Sequence, residues 1–224
     1  FNSEIFQTLD DGTTFNNQPD IYDPENDINY TFTDLYVGLH YQLKAGIFTF
    51  TPGLSAHAYS AKNEQFGVSY TDNFFRVLPD FNTRIQFKKS ETLTFNYRMQ
   101  TQFTDVNQLA EGLVLNRYNS FFTGNQELES SIAHNLSLMY FSFNMFNYTN
   151  VFARVNYTKN IDQIRTASEF QPGSVIRVGT PFNSNFADES FSANGRFQRA
   201  FGKLRATAQA NFSYAKFNQF ISTR

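Results

Sequence analysis

The stretch Asp34-Leu35-Tyr36-Val37-Gly38-Leu39-His40-Tyr41-Gln42-Leu43 decides the fold, because its apolar residues recur at every second position. Leu35, Val37, Leu39, Tyr41 and Leu43 fall on one side of an extended strand. Asp34, Tyr36, Gly38, His40 and Gln42 fall on the other. From Ile47 to Tyr59 the apolar parity switches to even numbers: Phe48, Phe50, Leu54, Ala56 and Ala58 stand against Thr49, Thr51, Ser55 and His57. Two antiparallel strands share an apolar face across such a switch only if paired residue numbers sum to an odd value. A two-residue turn at Ala45-Gly46 satisfies that condition.

The same test extends along the chain. Val77, Phe81, Ile85 and Phe87, then Leu93, Phe95, Tyr97, Met99 and Phe103, all use odd numbers. A three-residue turn, Ser90-Glu91-Thr92, is therefore expected, with Lys89 opposite Leu93, Phe87 opposite Phe95 and Arg84 beside Arg98. Leu136, Leu138 and Tyr140 precede Val151, Ala153, Val155 and Tyr157 around an expected four-residue turn, Asn144 to Asn147. Phe191, Ala193 and Phe197 precede Leu204, Ala206, Ala208, Ala210 and Phe212 around Gly202-Lys203. Period 3.6 is not convincing anywhere, so helices are not expected.

Long polar connections at roughly 62 to 73, 105 to 129 and 166 to 186 alternate with these short turns, as in an up-and-down membrane barrel. Strands of about 12 to 16 residues rise about 40 to 50 Å, and a tilt near 45° brings that to the roughly 30 Å hydrocarbon thickness. Strands of soluble sandwiches are about half as long. Tyr59, Phe74, Phe75, Phe103 and Tyr140 lie toward strand ends, where an interfacial girdle is expected.

Composition agrees: aromatics are 18% of 224 residues, with 28 Phe and 12 Tyr, yet mean hydropathy is negative. No run approaches the roughly 20 apolar residues of a membrane-spanning helix. There is no Cys, hence neither a disulfide nor a thiolate metal site. A net charge of −2 without a basic cluster argues against nucleic acid as a partner. The expected fold is all-β, an antiparallel up-and-down transmembrane β-barrel segment of about 8–10 strands. Eight strands are defined by the hairpins, and two more are expected near Phe1–Phe6 and Ser174–Val178. Residues 1–224 read as a single segment with neither plug domain nor signal peptide.

Gly124-Asn125-Gln126-Glu127-Leu128, followed by His134-Asn135-Leu136, resembles the Gly-Asn-Pro-(Asp/Glu)-Leu segment of the outer-membrane β-barrel family of TonB-dependent outer-membrane receptors. Leu78-Pro79, Gln108-Leu109 and Pro181-Phe182-Asn183 fall in that family's order, and the resemblance spans most of residues 28 to 223. Gln126 stands where the family has Pro, and Phe103-Thr104 stands where Arg-Pro is usual. The resemblance implies a 22-stranded barrel, a separate plug domain, coupling to the TonB system and ligand import across the bacterial cell outer membrane. It also admits a surface lipoprotein lid.

Arg84, Arg98, Arg154 and Arg196 are expected to face the lumen, where they would meet ligand or plug or pair with carboxylates such as Asp80. Arg199 is expected to face outward, close enough to the Gly202-Lys203 turn to snorkel. Tyr118, Phe121 and Phe122, in the longest connection, are candidate ligand or lid contacts in an extracellular loop. Asp20, Asp23, Glu25 and Asp27 concentrate oxygen donors but match no calcium-loop spacing, so a solvated acidic loop is expected. His40, His57 and His134 sit on separate strands without metal-ligand spacing, and no metal or cofactor is expected. No nucleophile elbow, tight carboxylate pair or phosphate loop is present, so the chain does not read as an enzyme. The leading reading is a wall segment of a TonB-dependent receptor, with outer-membrane lipid as its surroundings. The alternatives are a small complete outer-membrane barrel, acting as a passive channel or structural surface protein, and a soluble all-β adhesin.

Overall fold

The computed structural model describes residues 7–8, 14–15, 28–110, 112–170 and 175–218. The strand expected near Phe1–Phe6 and the acidic residues from Asp20 to Asp27 lie outside the described residues. In chain order the elements are β1 (Gln7–Thr8), β2 (Thr14–Phe15), β3 (Ile28–His40), β4 (Leu43–Ala45), β5 (Phe48–Gln65), β6 (Val68–Lys88) and β7 (Glu91–Gln102). After one 3-10 turn at Val106–Leu109 come β8 (Val114–Arg117), β9 (Ser120–Phe122), β10 (Ser131–Asn144), β11 (Thr149–Ile161), β12 (Ile164–Phe170), β13 (Arg177–Asn183), β14 (Asp188–Phe201) and β15 (Leu204–Lys216).

The large sheet runs in the order β15-β14-β11-β10-β7-β6-β5-β3, with β4 continuing β3 along β5. Every neighbour in this path is the next long strand in sequence, so the wall is an antiparallel meander. β3 and β15 end the path and do not pair with each other. The expected strand at Ser174–Val178 appears as β13, displaced toward the C-terminus and lying outside the wall.

The registers carry one side of the wall straight across. Leu39 pairs with Leu54, Phe95 with Leu138, Leu138 with Val155, and Ala193 with Phe212. On β6 that face reads Phe75, Val77, Pro79, Phe81, Thr83, Ile85 and Phe87. Its length is about 40 Å at 3.3 Å per residue, or about 28 Å at a 45° tilt, which matches a bilayer core. Leu35, Val37, Leu39, Leu204 and Phe212 on this face are well exposed, as side chains meeting lipid would be. The opposite face carries Ser, Thr, Asn, Gln, Arg and Asp.

Three expected turns differ from those observed. The first hairpin turns at Gly46-Ile47 rather than Ala45-Gly46, because Gly46 takes the first central position with φ 57°. The β10–β11 turn keeps its four residues but spans 145–148, after the pair Asn144 and Thr149. The β6–β7 hairpin has a two-residue turn, Lys89-Ser90. A bulge between Gln86 and Lys88 makes the parity correction assigned above to a longer turn. The Gly202-Lys203 turn joins Phe201 to Leu204 as expected.

The connection expected over 62 to 73 is mostly strand, since β5 and β6 pair as far as Gln65 and Val68 around Phe66-Gly67. Both turn residues have positive φ, 52° and 73°, the requirement of a type I′ hairpin. The other two long connections contribute β8, β9, β12 and β13, which form a second sheet in the order β12-β13-β9-β8. Buried side chains gather at this end of the wall: Tyr59, Asn63, Leu109, Ala110, Leu128, Ser131, Ser184 and Asp188. The middle of the wall has a polar lumen face and an apolar outer face rather than a core.

Candidate functional site

One row of the lumen face crosses six strands: His40 pairs with Gly53, Gly53 with Asp80, Asp80 with Arg98, Arg98 with Asn135, and Asn135 with Thr158. His40 Nε2 lies 3.1 Å from the Asp80 carboxylate, reaching it over Gly53. A Cβ at position 53 would overlap both side chains, so glycine is what lets them meet. Beside this pair, Arg98 and Arg154 line a hollow of about 720 Å³ shared with the amides of Asn82, Asn96 and Asn156. The polar groups form a network: Asn135 donates to Gln100 (3.2 Å), Thr158 donates to Asn135 (3.0 Å), and Arg154 Nε donates to Asn156 (3.0 Å). Two guanidinium groups against one carboxylate favour anionic groups in this hollow.

Arg84 does not join them. The bulge shifts the register, so Arg84 stands opposite Thr94 and Thr49, and Arg98 opposite Asp80. The expected Arg84–Arg98 pair is therefore replaced by an acid opposite a base. Arg84 lines a separate hollow of about 360 Å³ near the Gly46 turn, together with Lys44. Arg196 is held along its own strand by Gln198 Oε1, at 3.2 Å. Arg199 is on the apolar face with its guanidinium 5.1 Å from the Phe201 ring centre.

His57 contacts Asp34 (2.9 Å) and Ser55 (3.1 Å) and is stacked between Tyr36 and Tyr59, an arrangement that satisfies a lumen histidine. His134 is on the apolar face, 2.9 Å from the Tyr97 hydroxyl. No group of three or more metal-ligating side chains occurs among the described residues. Of the expected girdle, Phe75 and Tyr140 are on the outer face. Tyr59, Phe74 and Phe103 instead pack together on the lumen side with Phe32, their rings 4.4 to 6.5 Å apart. Parity alone sends Phe103 outward, but the strand ends at Gln102 and the chain folds over the lumen face.

The segments that carry the family resemblance are physically knotted at this end. Gly124 N–H donates to Ala110 O (2.5 Å), and Asn125 N–H donates to Gln108 O (2.8 Å). The Asn125 side chain donates to Pro181 O (3.2 Å) and accepts from Glu127 N–H (2.9 Å). Asn183 donates to Glu129 O (2.8 Å) and Asp162 O (2.9 Å) and accepts from Glu129 N–H (2.9 Å). Nearby, Arg165 is ion-paired with the buried Asp188. These contacts tie the two long connections to each other and to the rim of the wall. The Arg165–Asp188 pair was not singled out from sequence, because its partners come from separate loop-end strands and no local motif joins them.

On the small sheet, Arg117, Ser120, Arg177 and Phe170 form one cross-strand row, with Phe121 and Val178 paired in the next and Phe122 and Gly179 in the one after. Tyr118, Phe121 and Phe122 line a hollow of about 650 Å³ there with Arg117 and Arg177. Tyr118 is 92% exposed at the tip of the β8–β9 hairpin, free to meet something outside the wall.

No family model and no curated protein matches the chain by sequence. Solved structures do match by fold. The FrpB iron transporter from Neisseria meningitidis (F3-3 variant) superposes with a TM-score of 0.59 at 15% identity, over 86% of this chain and 27% of that one. The siderophore receptor PirA from Pseudomonas aeruginosa gives 0.54 at 10% identity, over 84% of this chain and 43% of that one. The chain thus has the fold of part of each of these two structures, a wall of an antiparallel up-and-down β-barrel. It spans less than half the length of either matched structure.

Proposed function

We propose that this chain is part of the wall of a TonB-dependent receptor that imports a ligand across the bacterial outer membrane, around a plug domain that moves within the barrel. The observation that carries the reading is the pairing of a bilayer-height apolar face with a lumen face whose charges converge in one hollow, around His40, Asp80, Arg98 and Arg154. The lumen arginines meet ligand or plug in this reading. Tyr118, Phe121 and Phe122, with Arg117 and Arg177, form an outer contact surface where ligand or a lipoprotein lid first docks. Because one matched structure is an iron transporter and the other a siderophore receptor, a ferric siderophore is the first ligand class to test.

The test is uptake of a radiolabelled ferric siderophore by cells carrying the intact protein, with and without the proton-motive force. Uptake that stops on de-energising, and falls at least tenfold when Arg98 and Arg154 are both replaced by Ala, supports the reading. Uptake that continues at the same rate without energy favours the passive channel. The failure of β3 and β15 to pair with each other speaks against a self-closed eight-stranded barrel.

A further inference from the structure

The connection that follows β7 covers one side of a half-open cavity of about 230 Å³ on the lumen face near the rim, apart from the central hollow. The wall side is built from two register rows, Tyr30–Asn63–Tyr70 and Phe32–Ala61–Asp72, in which the small Ala61 leaves the space open. Phe103, Leu109, Gln126 and Leu128 come from the connection. Two primary amides, one from each side, line it. Asn63 is 6% exposed, and neither its nitrogen nor its oxygen has a hydrogen-bond partner; both amide atoms of Gln126 are also buried and unpartnered. Buried polar atoms are normally paired, so two whole carboxamides without partners in the walls of one cavity mark a place where complementary groups would be stabilised once the side chains turn toward it.

The size and the walls restrict what fits. A volume of 230 Å³ corresponds to about seven or eight waters and falls below the range of drug-sized pockets, which leaves room for a single ring. The Phe32, Phe74 and Phe103 rings give that ring an apolar face. Among the described lining residues Asp72 is the one charged side chain and accepts hydroxyl donors, while the Arg76 guanidinium at the edge, 3.3 Å from Ser130 Oγ, balances its charge, so a neutral ligand fits. Each carboxamide places a donor and an acceptor side by side, which adjacent hydroxyls match, since each can both donate and accept. Gln126, which supplies the second amide, stands where the resembled family segment usually has Pro.

We propose that this cavity binds a small neutral ring carrying adjacent hydroxyl groups, held by Asn63, Gln126 and Asp72 against the phenylalanines. The inference does not depend on import, and its test reads binding alone. Catechol and myo-inositol are titrated separately into the intact, detergent-solubilised protein, with binding followed by saturation-transfer NMR. Saturable transfer to at least one probe is expected, weakened about tenfold in Asn63→Leu and again in Gln126→Leu, the worth of one neutral hydrogen bond. Binding of catechol alone identifies a flat aromatic diol, and of myo-inositol alone a sugar-like ring. If the Leu variants lose amide protection around residues 60–65 or 123–129, Asn63→Ala and Gln126→Ala remove the amides without adding bulk and should weaken binding equally. No saturable transfer to either probe, or unchanged affinity in folded variants, overturns the proposal.

Discussion

Replacing Gly124 by Ala tests whether the loop knot is the rigid feature that the contacts describe. An added Cβ would lie 2.5 Å from Ala110 N, 2.6 Å from Ala110 O and 2.6 Å from Gln108 O, whereas ordinary contact begins at 3.4 Å. All three are backbone atoms, so no side-chain rotation relieves the overlap. One segment must withdraw by about 0.8 to 0.9 Å, the shortfall from ordinary contact. That movement lengthens the Gly124 N–H···O Ala110 bond to about 3.4 Å and the Asn125 N–H···O Gln108 bond to about 3.6 Å, so the first is badly weakened and the second is lost. Two such bonds contribute about 1 kcal/mol each, and overpacking adds about 1–3 kcal/mol, giving a local cost of about 3–5 kcal/mol.

At 1.4 kcal/mol per factor of ten, the open form should become about 10² to 10³·⁵ times more populated. Hydrogen exchange by mass spectrometry on the purified protein reads this directly. Peptides covering 105–110 and 123–129 should lose protection while β7 and β10 keep theirs. Gly53→Ala is the control, because its added Cβ meets only the flexible ends of His40 and Asp80. It should separate that pair without loosening the knot. Unchanged protection at 123–129 in Gly124→Ala, or equal loosening by Gly53→Ala, refutes the reasoning.

Arg165→Met leaves the buried Asp188 carboxylate without its cation and should cost about 3–5 kcal/mol, seen as a lower unfolding temperature in detergent; a shift of under a degree would contradict the pairing. Asn183→Ala removes three side-chain hydrogen bonds, for about 2–3 kcal/mol, and should expose the Glu129 amide to exchange while the β11–β14 ladder holds. Leu138→Arg places a charge toward lipid at mid-strand and should cost about 2–4 kcal/mol of folding into bilayers; Ser137→Arg, one residue away on the lumen face, should cost less than about 1 kcal/mol, and equal costs would mean that the faces are misassigned.

The two faces of the wall were legible in the sequence because they depend on parity alone, which an apolar outer face and a polar inner one impose along every strand. Register was legible only where a turn could be built in one way. Gly202-Lys203 puts glycine where positive φ is needed, and the observed pair is Phe201 with Leu204. At Ala45-Gly46-Ile47 the same glycine preference slides the turn by one residue while odd sums persist, so every residue keeps its side. At Lys89-Ser90 a bulge and a three-residue turn solve the same parity problem, and nothing local distinguishes them. That ambiguity moved Arg98 from a position beside Arg84 to one opposite Asp80, and with it the charge balance of the hollow.

The loop end resisted for a different reason. Its order comes from contacts between segments about 50 residues apart, such as Asn125 with Pro181 and Glu129 with Asn183. No periodicity encodes these pairs, yet the short motifs of the resemblance turn out to be the ones that hold each other. Gly124 accepts the close approach of residues 108–110, Asn125 folds back on Glu127, and Asn183 reaches both connections. A rim fixed in this way can carry a variable outer surface, since the row of Arg117, Ser120 and Arg177 is built on the same two connections without contributing to the knot. Divergence in the aromatics at Tyr118, Phe121 and Phe122 would then change what is recognised while leaving the wall intact.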